Sequence, residues 1–212
     1  MNEAEKLNFT KTGTTTVGIV CKDGIVLAAD KRATADHLIA DKNVRKVVQI
    51  SDNIAVTIAG GVSDIQMVLR MTKAELELKR IRTKQLPSVT EAANLFANIV
   101  YQNLRKFSPI IGISHFIIAG VDSEGFSLYD ISPDGAVSKK EDYATSGAYG
   151  AIIAYGILEN QWKTNISIEE GKKLALNVLR TAVKRDSSVG NGINMTIIDK
   201  NGVGKITLEK IE

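Results

Sequence analysis

The 212-residue sequence predicts an α+β fold: a four-layer αββα sandwich in which two antiparallel sheets pack face to face and a helix pair covers each outer side. Three observations carry that prediction. Strand and helix patterns come in blocks, in the order strands, two helices, strands, two helices, strands. Successive strand patterns are joined by short polar turns, which makes hairpins and antiparallel pairing. Ile25-Val26-Leu27-Ala28-Ala29 is apolar on both faces, so this strand must be covered on both sides.

Thr14 to Cys21 has strand character, Lys22-Asp23-Gly24 is a turn, and Ile25 to Asp30 returns as a second strand ending on a carboxylate. For Asp30 a turn role or an ion pair with Lys31 or Arg32 is the plain reading. Lys31 to Asn43 is polar and irregular, and strand character resumes from Val44 to Ile50. Within it Lys46 alternates with Val47; on a covered face it needs an anionic partner, on a solvent face it needs none. Ser51-Asp52-Asn53 turns into a strand from Ile54 to Ala59 that runs into Gly60-Gly61. Those glycines suit either a tight turn or a close approach of an anion to backbone N–H groups.

A helix over about Ser63 to Arg82 carries Ile65, Val68, Leu69, Thr72 and Leu76 on one stripe. Ser88 and Glu91 form a capping box for a second helix, whose stripe of Ala92, Leu95, Phe96, Ile99, Val100 and Leu104 belongs to a core. A meander follows: His115 to Val121, Phe126 to Ile131 and Ala136 to Lys140, with turns at Glu124-Gly125 and Pro133-Asp134-Gly135. Tyr143 to Gly147 leads into a helix near Ala148 to Asn160, and Ser167-Ile168-Glu169-Glu170 caps another that runs to about Lys184. Arg185 to Gly192 is a polar, glycine-punctuated loop. Ile193 to Asp199 and Gly204 to Leu208 close the chain as a hairpin around Lys200-Asn201-Gly202.

Hydrophobic residues make up 44% and charged residues 24%, which suits one globular core and excludes a disordered or collagen-like chain. The apolar runs are too short to span a bilayer, and Met1 to Gly13 has no apolar signal region, so the expected place is the cytoplasm. The net charge of +3 rests on scattered Lys and Arg, so no nucleic-acid partner is expected. Cys21 has no internal disulfide partner and reads as a small buried hydrophobe. With His37 and His115 the only histidines, neither a metal site nor a Ser-His-Asp or Cys-His arrangement has support, and no cofactor is expected.

Gly13-Thr14-Thr15-Thr16-Val17-Gly18 admits two readings. It is an ordinary first strand, or it is a junction at which cleavage before Thr14 creates a catalyst. A freed α-amine titrates at about 8 and can take the hydroxyl proton of its own residue near neutral pH. Nucleophile and base would then be one residue.

These residues resemble the archaeal-type proteasome β subunits of the N-terminal-nucleophile hydrolase family. The resemblance covers essentially the whole chain. It rests on Gly13-Thr14-Thr15-Thr16-Val17-Gly18, Asp30, Lys46 before Val47, Thr57-Ile58-Ala59-Gly60, Lys73-Ala74-Glu75-Leu76-Glu77-Leu78, Tyr155-Gly156-Ile157-Leu158-Glu159 and Arg185-Asp186-Ser187, in that order. It implies a propeptide, residues 1–13, removed autocatalytically at Gly13-Thr14, and a single protease domain over 14–212. It also implies Thr14 as nucleophile, Asp30 and Lys46 as the charged pair behind it, Gly60 N–H as oxyanion donor and Asp186 as orienter of the amino-terminal end. Ala33, Val44, Val48, Ile58, Val62 and Gln66 match positions that line the substrate pocket; the absence of charge among them predicts cleavage after apolar residues. Implied partners are proteasome α subunits, other β subunits in a homo- or heteroheptameric ring, an ATPase regulatory cap and unfolded polypeptide substrates.

Two departures bear on activity. The family's Gly-Ser-Gly is Gly147-Ala148-Tyr149-Gly150 here, and its Asp-Ser-x-Ser-Gly is Asp186-Ser187-Ser188-Val189-Gly190. The hydroxyls that contact the nucleophile's amine are thus replaced by Ala148 and Val189, unless the register brings in Ser146 or Ser188. The alternative function is therefore a weakly active or inactive structural β subunit that needs a more active β partner. A non-hydrolytic module binding phosphate at Gly60-Gly61 lacks the Gly-Lys-Ser/Thr that would support it.

Overall fold

The computed structural model describes residues 13–108, 111–147 and 149–210. Residues 1–12 of the expected leader 1–13, and Ala148, lie outside these described residues.

Two consecutive segments lie at the centre of the first sheet. β1 (Thr15–Cys21) and β2 (Gly24–Asp30) form the expected hairpin, with β-branched and apolar residues in register, Val17 opposite Ala28 and Ile19 opposite Val26. Every residue of β2 is buried, as its two-faced apolar pattern requires. β3 (Ala33–Ala35) and β4 (Leu38–Asp41) form a small separate hairpin inside the segment expected to be irregular. All four residues of β4 are exposed and β3 has only three residues, so neither carries an alternation long enough for a periodicity reading.

β5 (Val47–Gln49) is shorter than the predicted 44–50 strand. The chain departs from the sheet before Val47 because Val44 N–H bonds Lys31 C=O at 3.1 Å, which bends this stretch over the end of β2. β5 joins β6 (Ile54–Gly60), β7 (Ser114–Asp122), β8 (Gly125–Ile131) and β9 (Val137–Lys140) in an antiparallel sheet ordered β5-β6-β7-β8-β9.

α1 (Val62–Thr83) and α2 (Val89–Arg105) cover its outer face. Ile65, Val68, Thr72 and Leu76 of α1 are buried as the stripe predicts. α2 begins in a complete capping box: Ser88 Oγ accepts Glu91 N–H at 3.2 Å, and Glu91 Oε2 accepts Ser88 N–H at 2.9 Å. Its Phe96 packs on Phe116 of β7, ring centroids 4.9 Å apart.

β10 (Tyr143–Gly147) adds to the free side of β1, an edge strand where a helix lead-in was expected. Five mixed residues show no alternation, and the pairing partner is more than a hundred residues away, so nothing local announces it. α3 (Tyr149–Gln161) and α4 (Ile168–Arg185) then cover the first sheet, α4 starting in the Ser167–Glu170 capping box. β11 (Ile193–Asp199) pairs with β2, and the single predicted last strand is split into β12 (Gly202–Val203) and β13 (Thr207–Glu209), both on β11.

The three hydrophobic clusters are those of a four-layer αββα sandwich. One lies between α1, α2 and the second sheet, one between α3, α4 and the first sheet, and the third, with Ile25, Leu27, Ile117 and Leu128, between the sheets. The open ends of β2 and β6 and the heads of β1 and β5 come together at one end of the sandwich. The site lies there.

Candidate active site

Asp30 is fully buried, and it is the last residue of a strand whose side chains have nowhere polar to go except its own end. Its carboxylate is fully engaged. Oδ1 accepts Lys46 Nζ at 2.9 Å and Thr15 N–H at 3.1 Å; Oδ2 accepts Arg32 N–H at 2.9 Å and Gly190 N–H at 3.1 Å. Four donors make a buried charge tolerable. The ion partner is Lys46, 4% exposed, and not Lys31 or Arg32: Lys31 Nζ goes to Asn43, and Arg32 gives Asp30 only its backbone.

From Asp30, Lys46 Nζ reaches on to Thr14 Oγ1 at 2.9 Å. Thr14 Oγ1 in turn donates to the Gly13 carbonyl at 2.6 Å, so the hydroxyl lies beside the peptide unit that joins residues 13 and 14. Gly13 N–H is held by Thr34 Oγ1 at 3.0 Å. Burial pushes the Lys46 ammonium below its usual range, and the attraction of Asp30 only partly offsets that. A lysine so placed polarises the hydroxyl and exchanges a proton more readily than a solvated one.

Asp186 caps the end of α4, where its N–H still bonds Ala182 C=O at 2.8 Å. Its Oδ1 accepts Ser188 N–H at 2.9 Å and the Ser188 hydroxyl, and its Oδ2 accepts Gly150 N–H at 3.1 Å. Arg32 pins this loop against the end of β2, through Nε to Asn191 Oδ1 at 2.7 Å and Nη1 to Ser187 C=O at 2.6 Å. The sequence reading missed Arg32 as a loop anchor; its position two residues beyond Asp30 was the only signal, and it pointed equally to an ion pair. Ser188 packs directly on Gly13, where a β-carbon would overlap its hydroxyl. Ser146 is engaged elsewhere, its hydroxyl 2.7 Å from Thr16 Oγ1, which also accepts from Thr57. Val189 is fully buried and offers no polar atom.

A cavity of about 220 Å³ opens beside Thr14. All six predicted pocket residues, Ala33, Val44, Val48, Ile58, Val62 and Gln66, line it, together with Lys46 and Gly60. The six carry no charge, but they are not the whole lining: Lys46 and the exposed Arg45 border the cavity as well. Gly60 has φ +122°, and a β-carbon there would strike the Ile113 carbonyl, so only glycine fits. Gly61 N–H bonds Ile113 C=O at 2.8 Å, so of the two glycines only Gly60 borders the cavity. Among the described residues no group of three or more His, Cys, Asp or Glu could hold a metal ion. Cys21 is buried under α4, its thiol pushed up to about 12 by burial.

The layering, with a threonine hydroxyl at the head of β1 beside a buried lysine–carboxylate pair, is that of the N-terminal-nucleophile hydrolases. Comparison with known proteins narrows this. The family described as Proteasome subunit matches residues 10–198. The chain is 41% identical over 201 residues to the proteasome subunit beta of Methanocaldococcus fervens, covering 94% of this chain and 88% of that one. It is 39% identical over 200 residues to the proteasome subunit beta of Archaeoglobus fulgidus, covering 94% and 92%. With that of Methanosphaerula palustris it shares 39% identity over 212 residues, covering 100% and 96%. The chain belongs to the proteasome subunit family, in which it is similar to the archaeal β subunits.

Proposed function

We propose that this chain is a threonine endopeptidase, the proteolytic β subunit of a proteasome core particle, and that it matures by cutting itself between Gly13 and Thr14. The observation that carries this reading is Lys46 Nζ at 2.9 Å from both Thr14 Oγ1 and Asp30 Oδ1. In maturation Thr14 Oγ attacks the Gly13 carbonyl carbon, its proton passes to the Thr14 nitrogen, and the peptide becomes an ester. Water then hydrolyses the ester, releasing residues 1–13 with a carboxylate end and leaving Thr14 with a free amine.

In substrate cleavage that amine takes the proton from Thr14 Oγ as it attacks the scissile carbonyl. The Lys46 ammonium stabilises the developing negative charge on Oγ, and the Gly60 N–H receives the oxyanion. The protonated amine then gives its proton to the departing substrate amine, and water resolves the acyl-enzyme by the same path. Asp30 holds Lys46, and Asp186 orients the amino-terminal end. The apolar floor of the cavity favours apolar residues before the cut, with Arg45 admitting a carboxylate at its mouth. The partners are α subunits, further β subunits in a ring, an ATPase cap and unfolded chains in the cytoplasm; among the described residues no helix is long and apolar enough to cross a membrane.

Val189 supports a second reading, a structural subunit with little activity, because a buried valine gives the amine nothing to bond. The experiment that separates the two is the intact mass of the chain assembled with its α subunits, beside Thr14→Ala. Loss of residues 1–13 in the native chain alone supports the protease, and an uncut native chain in a complete particle supports the structural subunit.

A further inference from the structure

The loop after α4 carries a hydroxyl that the reading above does not use. Ser188 is bound to Asp186 twice, by its backbone N–H at 2.9 Å and by its hydroxyl, both on Oδ1. The backbone bond alone closes the turn, so the hydroxyl bond is additional to it. That hydroxyl lies on Gly13, whose α-carbon is one carbonyl carbon from the Thr14 nitrogen, and it sits where a β-carbon on Gly13 would be. The neighbouring Val189 is fully buried and its side chain carries no polar atom, and the Ser146 hydroxyl is taken by Thr16. Arg32, through Ser187 C=O and Asn191, holds the loop in this position.

We infer that Ser188 is a positioning residue for the base. Once Gly13 has left, its hydroxyl accepts a hydrogen bond from the α-amine of Thr14 while still donating to Asp186, and so fixes the amine's lone pair toward Thr14 Oγ. This rests on the reading of Thr14 as the nucleophile. A hydroxyl that donates to a carboxylate is a stronger acceptor, and acceptance from the amine favours its protonated form, so Ser188 also raises the amine's titration point.

The test uses the particle assembled with α subunits, a peptide substrate with an apolar residue before the cut, and rates across about pH 6 to 10, where an α-amine titrates. The expected result for Ser188→Ala is a processed chain with kcat lowered about tenfold, a part of the roughly 10²- to 10⁴-fold that a positioned base supplies, and an acidic limb moved to lower pH. Ser188→Thr, which keeps the hydroxyl, restores rate and profile. A Ser188→Ala profile superimposable on the native one overturns the inference, whether the rate is unchanged or reduced, since a purely structural role leaves the limb in place. Should Ser188→Ala fail to assemble, Ser188→Cys keeps the volume with a weak hydrogen bond and is judged by the same outcomes. A native particle that is uncut and inactive overturns the reading of Thr14, and this inference with it.

Discussion

Lys46 stands between two groups that make different demands of it: Asp30 needs a cation, and Thr14, as the proposed nucleophile, needs a neighbour that stabilises an alkoxide. Lys46→Ala is expected to slow both self-processing and peptide cleavage at least about 10²-fold, measured by mass and by initial rates, because the field at Thr14 Oγ is lost. Asp30→Ala leaves the ammonium buried without a counterion, and a loss of about 3 to 5 kcal/mol in denaturant unfolding is expected. The pH dependence has a definite sign. The folded-state titration of Lys46 lies below the ordinary 10.5 of the unfolded chain. Between the two values the unfolded state binds more protons, so the lysine's cost to stability, complete at lower pH, fades as pH rises toward 10.5. Against Asp30→Asn/Lys46→Met, which carries no such charge, the native chain gains stability over that window; a constant difference contradicts the assignment.

At the scale of elements, what the residues announced depended on how local their partners are. The β1–β2 hairpin, the α1 and α2 stripes and both capping boxes were legible because turn, period and cap lie within a few residues of each other. β10 and the β3–β4 hairpin were not, since short strands without alternation take their conformation from distant partners. The same division runs through the site. Lys46 was read as needing an anion if its face was covered, and Asp30 as lying at the mouth of a buried strand; their pairing follows from the bend before β5, which no local pattern encodes. The loop anchored by Arg32 was illegible for the same reason. Two predictions belong here. Ser88→Ala removes one half of the α2 cap and is expected to cost about 1 kcal/mol in unfolding, with activity retained. Gly60→Ala sets a β-carbon against the Ile113 carbonyl at positive φ, and is expected to lower stability by more than about 1 kcal/mol and to depress cleavage together with it.

For the whole molecule, four layers enclose three cores, and the site lies at one end of the sandwich where the ends of both sheets meet. α3 has 13 residues and a single charged one, Glu159, and leaves Tyr149 and Ile152 about two-thirds or more exposed, at 69% and 71%. Such a helix suits burial against a neighbouring subunit. Ile152→Lys is therefore expected to leave the chain folded by circular dichroism while shifting it to smaller species in size-exclusion chromatography with α subunits. The central claim, that Thr14 beside Lys46 and Asp30 is a working nucleophile, is tested most directly by the intact mass of the β chain in the assembled particle, with Thr14→Ala alongside. The account predicts that the native chain loses residues 1–13 and begins at Thr14, while the alanine variant keeps its full mass. A full-length native chain in a completely assembled particle would contradict it.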